Sequence, residues 1–195
     1  MMTHALGALL AAWLTLALAG SAAAADKWDY SLFVGVTHPI AQYAREFADE
    51  VKKRTNGALE ITVRPAGELP YKPTEMVRVV GQGQVQLADA YMGFVAGDNK
   101  IGAMPGLPFL VTNPDELRKS MTVLEPYAQK EMEKFGASIL FWYTWPQQNI
   151  WGRGTPLATI ADFKGRKIRA TSPEQTEMLR RFGAIDEEAP PEATK

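Results

Sequence analysis

The sequence predicts an α/β fold, in which helices pack against a mostly parallel sheet. From residue 26 onward, segments with alternating apolar residues, typical of half-buried strands, are followed by segments whose apolar residues recur every three or four positions, typical of amphipathic helices. Turn and capping pairs such as Asn56-Gly57 and Asn113-Pro114 separate these segments. This regular alternation is the pattern from which layered α/β domains are built.

The N-terminal segment has the composition of an export signal. The first 25 residues contain no Lys, Arg, Asp or Glu, and residues 5–20 are almost entirely apolar. This run is shorter than the roughly 20 apolar residues that a membrane-spanning helix needs. It ends at Gly20, and Ser21 and four alanines follow, the small-residue pattern that a signal peptidase cleaves. We therefore predict a signal peptide over residues 1–25, cleaved near Ala25; an uncleaved membrane anchor is the alternative.

Residues 26–143 are predicted to form a first α/β lobe. Strands are predicted over residues 28–36, 59–63, 85–91 and 137–143. Helices are predicted from Pro39 to the Asn56-Gly57 turn, over residues 74–80, and from the Asn113 cap to Gly136, with Pro126 as a kink or break. The last strand is nearly all apolar, which is typical of a central strand covered on both faces.

Residues 144–195 are predicted to form a crossover and part of a second α/β lobe. Residues 144–156 are rich in Trp, Gln, Asn and Gly, and a short strand is predicted over residues 167–170. Ser172-Pro173-Glu174-Gln175 fits a capping box at the start of a helix that Gly183 ends. Residues 185–195 are acidic and contain proline, and no regular element is predicted for them.

Catalysis is difficult to build from the residues after Ala25. His38 is the single histidine there, and the chain has no cysteine and no Gly-x-Ser-x-Gly motif. No set of residues has zinc-site spacing, and Gly81-Gln82-Gly83 lacks the further residues of a dinucleotide or phosphate loop. The net charge is −1 and the basic residues are scattered, which argues against nucleic-acid binding. We predict a binding protein rather than an enzyme, with no catalytic residues, metal or cofactor.

Arg169 is a candidate ligand-binding residue, because it lies where a short predicted strand ends and just before a helix N-terminus. A guanidinium can hold a carboxylate through two parallel hydrogen bonds, and the free N–H groups near Ser172 would add positive potential. The alternative is a structural role, in which Arg169 pairs with an internal acid such as Asp162 or lies on the surface. Spacing alone does not decide between the two interpretations.

A stretch of aromatic and amide residues after residue 143 is the second candidate feature, because aromatic walls with a few amide donors suit a small, partly apolar ligand. Trp145, Gln148 and Asn149 lie past the end of the predicted strand and are the better candidates within it. Tyr91 and Phe94 occupy the corresponding position after the third strand. His38 is predicted to cap a helix, although it could also face a ligand.

A series of segments follow one another in an order that spans most of the chain. They are the signal peptide, Thr37-His38-Pro39, Thr55-Asn56-Gly57, Pro65-Ala66-Gly67-Glu68-Leu69, the predicted helix to Gly81 and the predicted strand after it, Leu107-Pro108-Phe109-Leu110, Ile160-Ala161-Asp162-Phe163-Lys164-Gly165-Arg166-Lys167-Ile168-Arg169 and Phe182-Gly183-Ala184. In this order they resemble the extracytoplasmic solute-binding proteins of tripartite ATP-independent periplasmic (TRAP) transporters. The segment that ends at Arg169 is the most specific of them.

The resemblance implies a type II periplasmic-binding-protein fold, whose two lobes close on a ligand. It also implies that the protein captures a small organic acid in the periplasm and delivers it to a TRAP-type membrane permease. In the family, the arginine that ends the Lys-Gly-x-Lys-x-Arg segment binds the ligand carboxylate, and here that residue is Arg169. Trp145, Gln148, Tyr91 and His38 would line the cleft.

Two departures from the family pattern modify these expectations. A second basic residue that some members carry falls here near residues 147–149, which are amides, so we expect a less highly charged ligand, such as a monocarboxylate with an apolar or aromatic part. Family members are much longer, so the resemblance implies that the second lobe is incomplete here. The remaining alternatives are a receptor that serves a membrane sensor, a fragment that binds no ligand, and an exported hydrolase that uses His38.

Overall fold

The computed structural model describes residues 24–186. Strands and α-helices alternate along this part of the chain, except that α3 is followed directly by α4, which confirms the predicted α/β class. They are β1 (Asp26–Ser31), α1 (Pro39–Arg54), β2 (Leu59–Arg64), α2 (Met76–Gly81), β3 (Leu87–Ala88), α3 (Lys100–Ala103), α4 (Pro114–Glu133), β4 (Lys167–Ile168), α5 (Pro173–Arg181) and β5 (Ile185–Asp186). None of the helices in residues 24–186 is long and apolar enough to cross a membrane. The predicted signal peptide lies almost wholly outside the described residues.

Three parallel strands form the larger of the two sheets, in the order β2-β1-β3. β1 pairs along its whole length with β2, from Asp26 opposite Leu59 to Ser31 opposite Arg64. The carboxyl ends of the three strands therefore meet at one edge of the sheet. The first strand was predicted to continue to residue 36, but its regular pairing ends at Ser31.

One hydrophobic core lies between this sheet and α1, and a second, formed by Val77, Val95 and Met132, lies between α2 and α4. Tyr30, Leu32 and Val34 are buried against the small side chains of Ala41 and Ala44, which allow the helix to approach the sheet closely. The helix ends, as predicted, just before residues 56 and 57, both of which have positive φ angles. The alternating apolar residues therefore pack against α1 as the sequence predicted, although Ser31 on the opposite face of β1 is also buried.

The longest helix, α4, begins as predicted. Asn113 is its N-cap, and the side-chain oxygen of Asn113 accepts hydrogen bonds from the N–H groups of Asp115 and Glu116 at 3.1 and 3.0 Å. The helix is not broken at Pro126, which lies inside it on an exposed face. A proline there removes one backbone hydrogen bond, but water can satisfy the carbonyl group that loses its partner.

The prediction of a central strand over residues 137–143 is wrong. The segment has no strand structure, and Leu140 and Phe141 are 65% and 55% exposed. A central strand needs a hydrogen-bonded neighbour on each side, whereas this segment bonds to a helix: the N–H of Ile139 donates to the side-chain oxygen of Gln129 in α4 at 2.8 Å. The third predicted strand, residues 85–91, is likewise shortened to β3, although Val85 is buried.

Residues 160–186 contain β4, α5 and β5, and we call them the second unit. They have a small core of their own, formed by Phe163, Leu179 and Ala184. The strands β4 and β5 pair in parallel. The prediction that residues 185–195 form no regular element is therefore wrong for Ile185–Asp186, and residues 187–195 lie outside the described part. Ser172 caps α5 as predicted, since its hydroxyl oxygen accepts from the N–H of Gln175 at 3.3 Å.

Candidate functional site

Five rings gather at the carboxyl edge of the first sheet and form what we call the aromatic cluster: Phe33, His38, Tyr91, Phe94 and Trp145. The Trp145 ring lies at the centre, with ring centroids 5.4 Å from His38, 5.8 Å from Phe33 and 6.0 Å from Tyr91. Phe33 follows β1 and Tyr91 follows β3, so the parallel pairing of these strands brings the two rings together. Ligands of open α/β sheets bind outside this edge.

His38 has a structural role in this cluster. It is the N-cap of α1, and its Nδ1 atom accepts a hydrogen bond from the N–H of Ile40 at 3.2 Å. This confirms the predicted capping role. The Nδ1 atom is therefore occupied by the helix cap. The alternative of an exported hydrolase with His38 as base therefore gains no support from the geometry.

Tyr91 of the aromatic cluster and the nearby Gly93 both contact Thr171 of the second unit. The Tyr91 and Thr171 hydroxyl oxygens are 3.4 Å apart. A Cβ atom placed on Gly93 would lie 2.4 Å from the backbone oxygen of Thr171, so the two chain segments approach more closely than any larger residue allows. Thr171 is two residues from Arg169, and this contact therefore sets the position of the Arg169 segment relative to the cluster.

Arg169 directly follows β4 and is exposed. Within residues 24–186 its guanidinium makes no hydrogen bond or ion pair. Asp162, the internal acid considered as its partner, instead accepts from the N–H groups of Ala158 and Thr159 and from the Thr159 hydroxyl. These bonds lower the pKa of Asp162, the Thr159 N–H most strongly. The structural pairing of Arg169 with Asp162 is therefore not formed.

The predicted amide residues lie outside the aromatic cluster. Gln148 and Asn149 are both exposed, and the Asn149 amide donates to the backbone oxygen of Gln147 at 3.3 Å. The Gln147 amide in turn donates to the backbone oxygen of Thr112 at 2.6 Å, which attaches this segment to the start of α4. A role for Gln148 and Asn149 in ligand binding stays a prediction.

A buried carboxyl group next to the cluster was missed in the sequence. Asp89 is 4% exposed, and its Oδ1 atom accepts a hydrogen bond from the Tyr143 hydroxyl at 2.7 Å. Its Oδ2 atom is buried and has no hydrogen-bond partner in the described structure. Burial raises the pKa of Asp89 from 3.8 to about 6, although the Tyr143 hydrogen bond lowers it. One charged residue inside the apolar run Leu87-Ala88-Asp89-Ala90 was the signal that could have identified it.

The raised pKa of Asp89 predicts a specific pH dependence of stability. Between about pH 4 and pH 6 the folded protein binds more protons at this group than the unfolded chain does, so the free energy of unfolding falls as the pH rises through this window. The contribution is about 3 kcal/mol for a shift of roughly two units. Urea unfolding of wild type and Asp89→Asn across this range should show the slope only in the wild type. Equal slopes in both proteins would contradict the assignment.

Two open cavities border the cluster region. One, of about 380 Å³, lies beside Phe94 and is bounded by Arg78 and Asp98, whose side chains form an ion pair at 2.8 Å. The other, of about 320 Å³, lies between the two units, with Lys100 on one side and Glu174 on the other. Neither cavity reaches Arg169. In the described residues no group of three His, Cys, Asp or Glu side chains could hold a metal ion.

Residues 30–193 match the family of bacterial extracellular solute-binding proteins, family 7 (DctP). The chain belongs to this family. The family is one of extracellular solute receptors, which confirms the predicted TRAP resemblance and places the aromatic cluster and Arg169 in a solute-binding fold.

Solved structures of similar proteins agree with this family. An extracytoplasmic solute receptor of Bordetella pertussis that binds pyroglutamic acid is 31% identical, with a TM-score of 0.77 over 84% of this chain and 54% of that one. A TRAP solute-binding protein from a marine metagenome, specific for pyroglutamate, is 25% identical, with a TM-score of 0.78 over 85% of this chain and 54% of that one. These likenesses confirm the periplasmic-binding-protein fold.

A curated relative extends the comparison to a different ligand. The ectoine/5-hydroxyectoine-binding periplasmic protein UehA of Ruegeria pomeroyi is 28% identical over 189 residues, which are 93% of this chain and 54% of the relative. The chain thus spans about half the length of the family 7 proteins it matches.

Proposed function

We propose that this protein is a periplasmic receptor that captures a small organic acid and delivers it to a TRAP-type membrane permease without covalent chemistry. Membership of the solute-binding family supports the proposal, as do two similar receptors that bind pyroglutamate. The composition of the first 25 residues supports export, with cleavage near Ala25.

The observation that carries the proposal is the unpaired guanidinium of Arg169. Since it makes no hydrogen bond or ion pair within residues 24–186, its donors are available to a ligand. Arg169 stands three residues before Ser172, the N-cap of a helix whose first N–H groups favour an anion. A carboxylate bound here would satisfy the planar guanidinium through two parallel hydrogen bonds.

The aromatic cluster suggests what the rest of the ligand is like. Its rings offer apolar surface and few charges, which suits a compact ligand with an apolar or planar body. In the intact cleft Tyr91, Phe94, Trp145 and His38 would line this part of the site. The amides at residues 147–149, where some relatives carry a second basic residue, favour a monocarboxylate over a dicarboxylate.

The proposal is tested by thermal unfolding of the chain with a panel of small carboxylates, each compared with its uncharged primary amide. A ligand present at roughly one hundred times its Kd adds about 2.7 kcal/mol to the free energy of unfolding. For a domain of this size we expect the Tm to rise by roughly 5–10 °C. A rise with at least one acid but not with its amide is the expected result. If no acid in the panel changes the Tm, the proposal is wrong and the alternative of a non-binding chain is favoured.

A further inference from the structure

The 320 Å³ cavity lies where the first lobe and the second unit face each other. Its walls are mostly apolar: Ala96, Ala103, Met104 and Leu107 belong to the first lobe, and Pro173 begins α5. Its volume corresponds to on the order of ten water molecules, at roughly 30 Å³ each. A small movement of the second unit is therefore enough to narrow this gap substantially.

Two opposite charges border this cavity without a partner in residues 24–186. Lys100, at the start of α3, is exposed, and Glu174, in the first turn of α5, is partly exposed. Neither side chain makes a hydrogen bond or an ion pair within the described residues. Nearby charges are already satisfied, since Asp98 pairs with Arg78 at 2.8 Å and Glu131 accepts from a backbone N–H of α3 at 2.9 Å. Lys100 and Glu174 thus remain available to each other across the cavity.

The close contact between Gly93 and Thr171 lies beside this cavity in both chain segments. Gly93 stands three residues before Ala96, and Thr171 stands two residues before Pro173, so the point of closest approach borders the cavity walls. Two-lobed binding proteins close on a ligand by hinge motion, in which a few residues absorb the movement. Movement about this contact changes the width of the cavity and the distance between the two charges.

We infer that Lys100 and Glu174 form an ion pair across this cavity when the two units close on the ligand. This inference rests on the proposed function and adds a contact that stabilises the closed receptor without touching the ligand. Closure narrows the gap and removes water from it, which strengthens the attraction between the charges. Partly exposed ion pairs contribute modestly, so we expect a several-fold effect on affinity rather than a loss of binding.

Charge reversal at either position tests the ion pair by calorimetric titration of the full chain with L-pyroglutamate, the ligand of two similar receptors. Lys100→Glu and Glu174→Lys should each raise the Kd about three- to tenfold, because each places two like charges across the cavity. The double variant restores an opposite pair and should return the Kd to within about twofold of wild type. At about 1 M salt, where screening acts over about 3 Å, all these differences should shrink to less than about twofold.

Glu174→Lys separates the ion pair from a general effect of charge on an anionic ligand. A long-range effect would make this variant bind L-pyroglutamate more tightly, because it replaces a negative charge by a positive one. The ion pair predicts weaker binding instead. Lys119→Glu is the matched control for Lys100→Glu: it makes the same change at an exposed position of α4 that does not border the cavity, and its Kd should stay within about twofold of wild type.

Closure itself is measured as the distance between two spin labels. Because the chain contains no cysteine, Lys53→Cys in α1 and Ala161→Cys in the second unit place one label on each side, both at exposed positions. Saturating L-pyroglutamate should shift the distribution of distances between the labels. With Lys100→Glu added, a larger share of the ligand-free distance should remain.

The outcomes separate this inference from the proposed function. A Glu174→Lys protein that binds L-pyroglutamate as tightly as wild type or more tightly, or a double variant as weak as the single ones, would overturn the ion pair and leave the receptor function intact. A label distance that does not change on binding would have the same meaning. If L-pyroglutamate does not bind, the variants are compared with the acid that gives the largest rise in Tm. If no acid binds, the proposed function fails and the inference fails with it.

Discussion

Replacing Arg169 by alanine is expected to weaken binding of the acid by a hundredfold or more. In a closed cleft the ligand carboxylate would lose both hydrogen bonds and its opposite charge, a loss of roughly 3–5 kcal/mol. Arg169→Lys should recover part of the affinity, because lysine restores the charge but not the planar pair of donors. Calorimetric titration with the acid that gives the largest rise in Tm measures both variants against wild type.

The matched control for this change is Arg118→Ala. Arg118 is an exposed arginine of α4 that pairs with Asp115 three residues earlier, and such surface pairs contribute little. Its removal should change neither the Kd nor, by more than a few tenths of a kcal/mol, the free energy of unfolding. If Arg169→Ala binds the acid as tightly as Arg118→Ala does, Arg169 does not hold the carboxylate.

Replacing Gly93 by alanine is expected to separate the two units and lower both affinity and stability. The new Cβ would lie 2.4 Å from the backbone oxygen of Thr171 and 2.6 Å from the Tyr91 ring. A backbone oxygen cannot rotate away, so the Thr171 segment must shift and take Arg169 with it. Overpacking of this kind costs about 1–3 kcal/mol, which corresponds to a fall in Tm of roughly 2–12 °C. We expect the affinity for the acid to fall about tenfold or more, because misplacement of about 1 Å is costly in a preorganised site.

Gly106→Ala provides the control for the change at Gly93. A Cβ on Gly106 would meet no atom within 4 Å, and its φ angle is not among the positive ones. This variant should be as stable as wild type or slightly more so, since alanine restricts the unfolded chain. A Gly93→Ala protein with wild-type Tm and Kd would show that the contact with Thr171 does not position the site.

The starts of the helices could be predicted from the sequence because their signals are local. His38, Asn113 and Ser172 each accept a hydrogen bond from the first turn of a helix. In all three cases the helix begins at the proline that follows the cap. Capping depends on atoms within three residues of one another, so it can be predicted without knowledge of the rest of the fold.

The segment over residues 137–143 shows where such reasoning fails. Its apolar composition was interpreted as a strand covered on both faces, but pairing depends on partners far away in the sequence. Here Ile139 bonds to Gln129 of α4, and the Phe141 ring packs 6.0 Å from that of Phe47. Composition indicated a segment that contacts the core, and only the tertiary structure could show that it forms no ladder.

The candidate site was partly predictable for the same reason. Tyr91 and Phe94 follow a strand that ends at this edge of the sheet, and Trp145 packs against Tyr91 in the aromatic cluster. Phe33 was missed because it lies between the core-facing residues of the predicted strand. Asp89 was missed because a buried acid departs from the apolar pattern, and only the structure shows that half of its carboxyl group lacks a partner.

The central claim is that Arg169 meets the carboxylate of a small acid beside the aromatic cluster. A crystal structure of the chain, grown with the acid that gives the largest rise in Tm, tests this most directly. We expect two guanidinium nitrogens of Arg169 within about 2.7–2.9 Å of the carboxylate oxygens, with the rest of the ligand against Trp145 and Tyr91. A ligand carboxylate bound elsewhere, with the Arg169 side chain directed into solvent, would contradict the account.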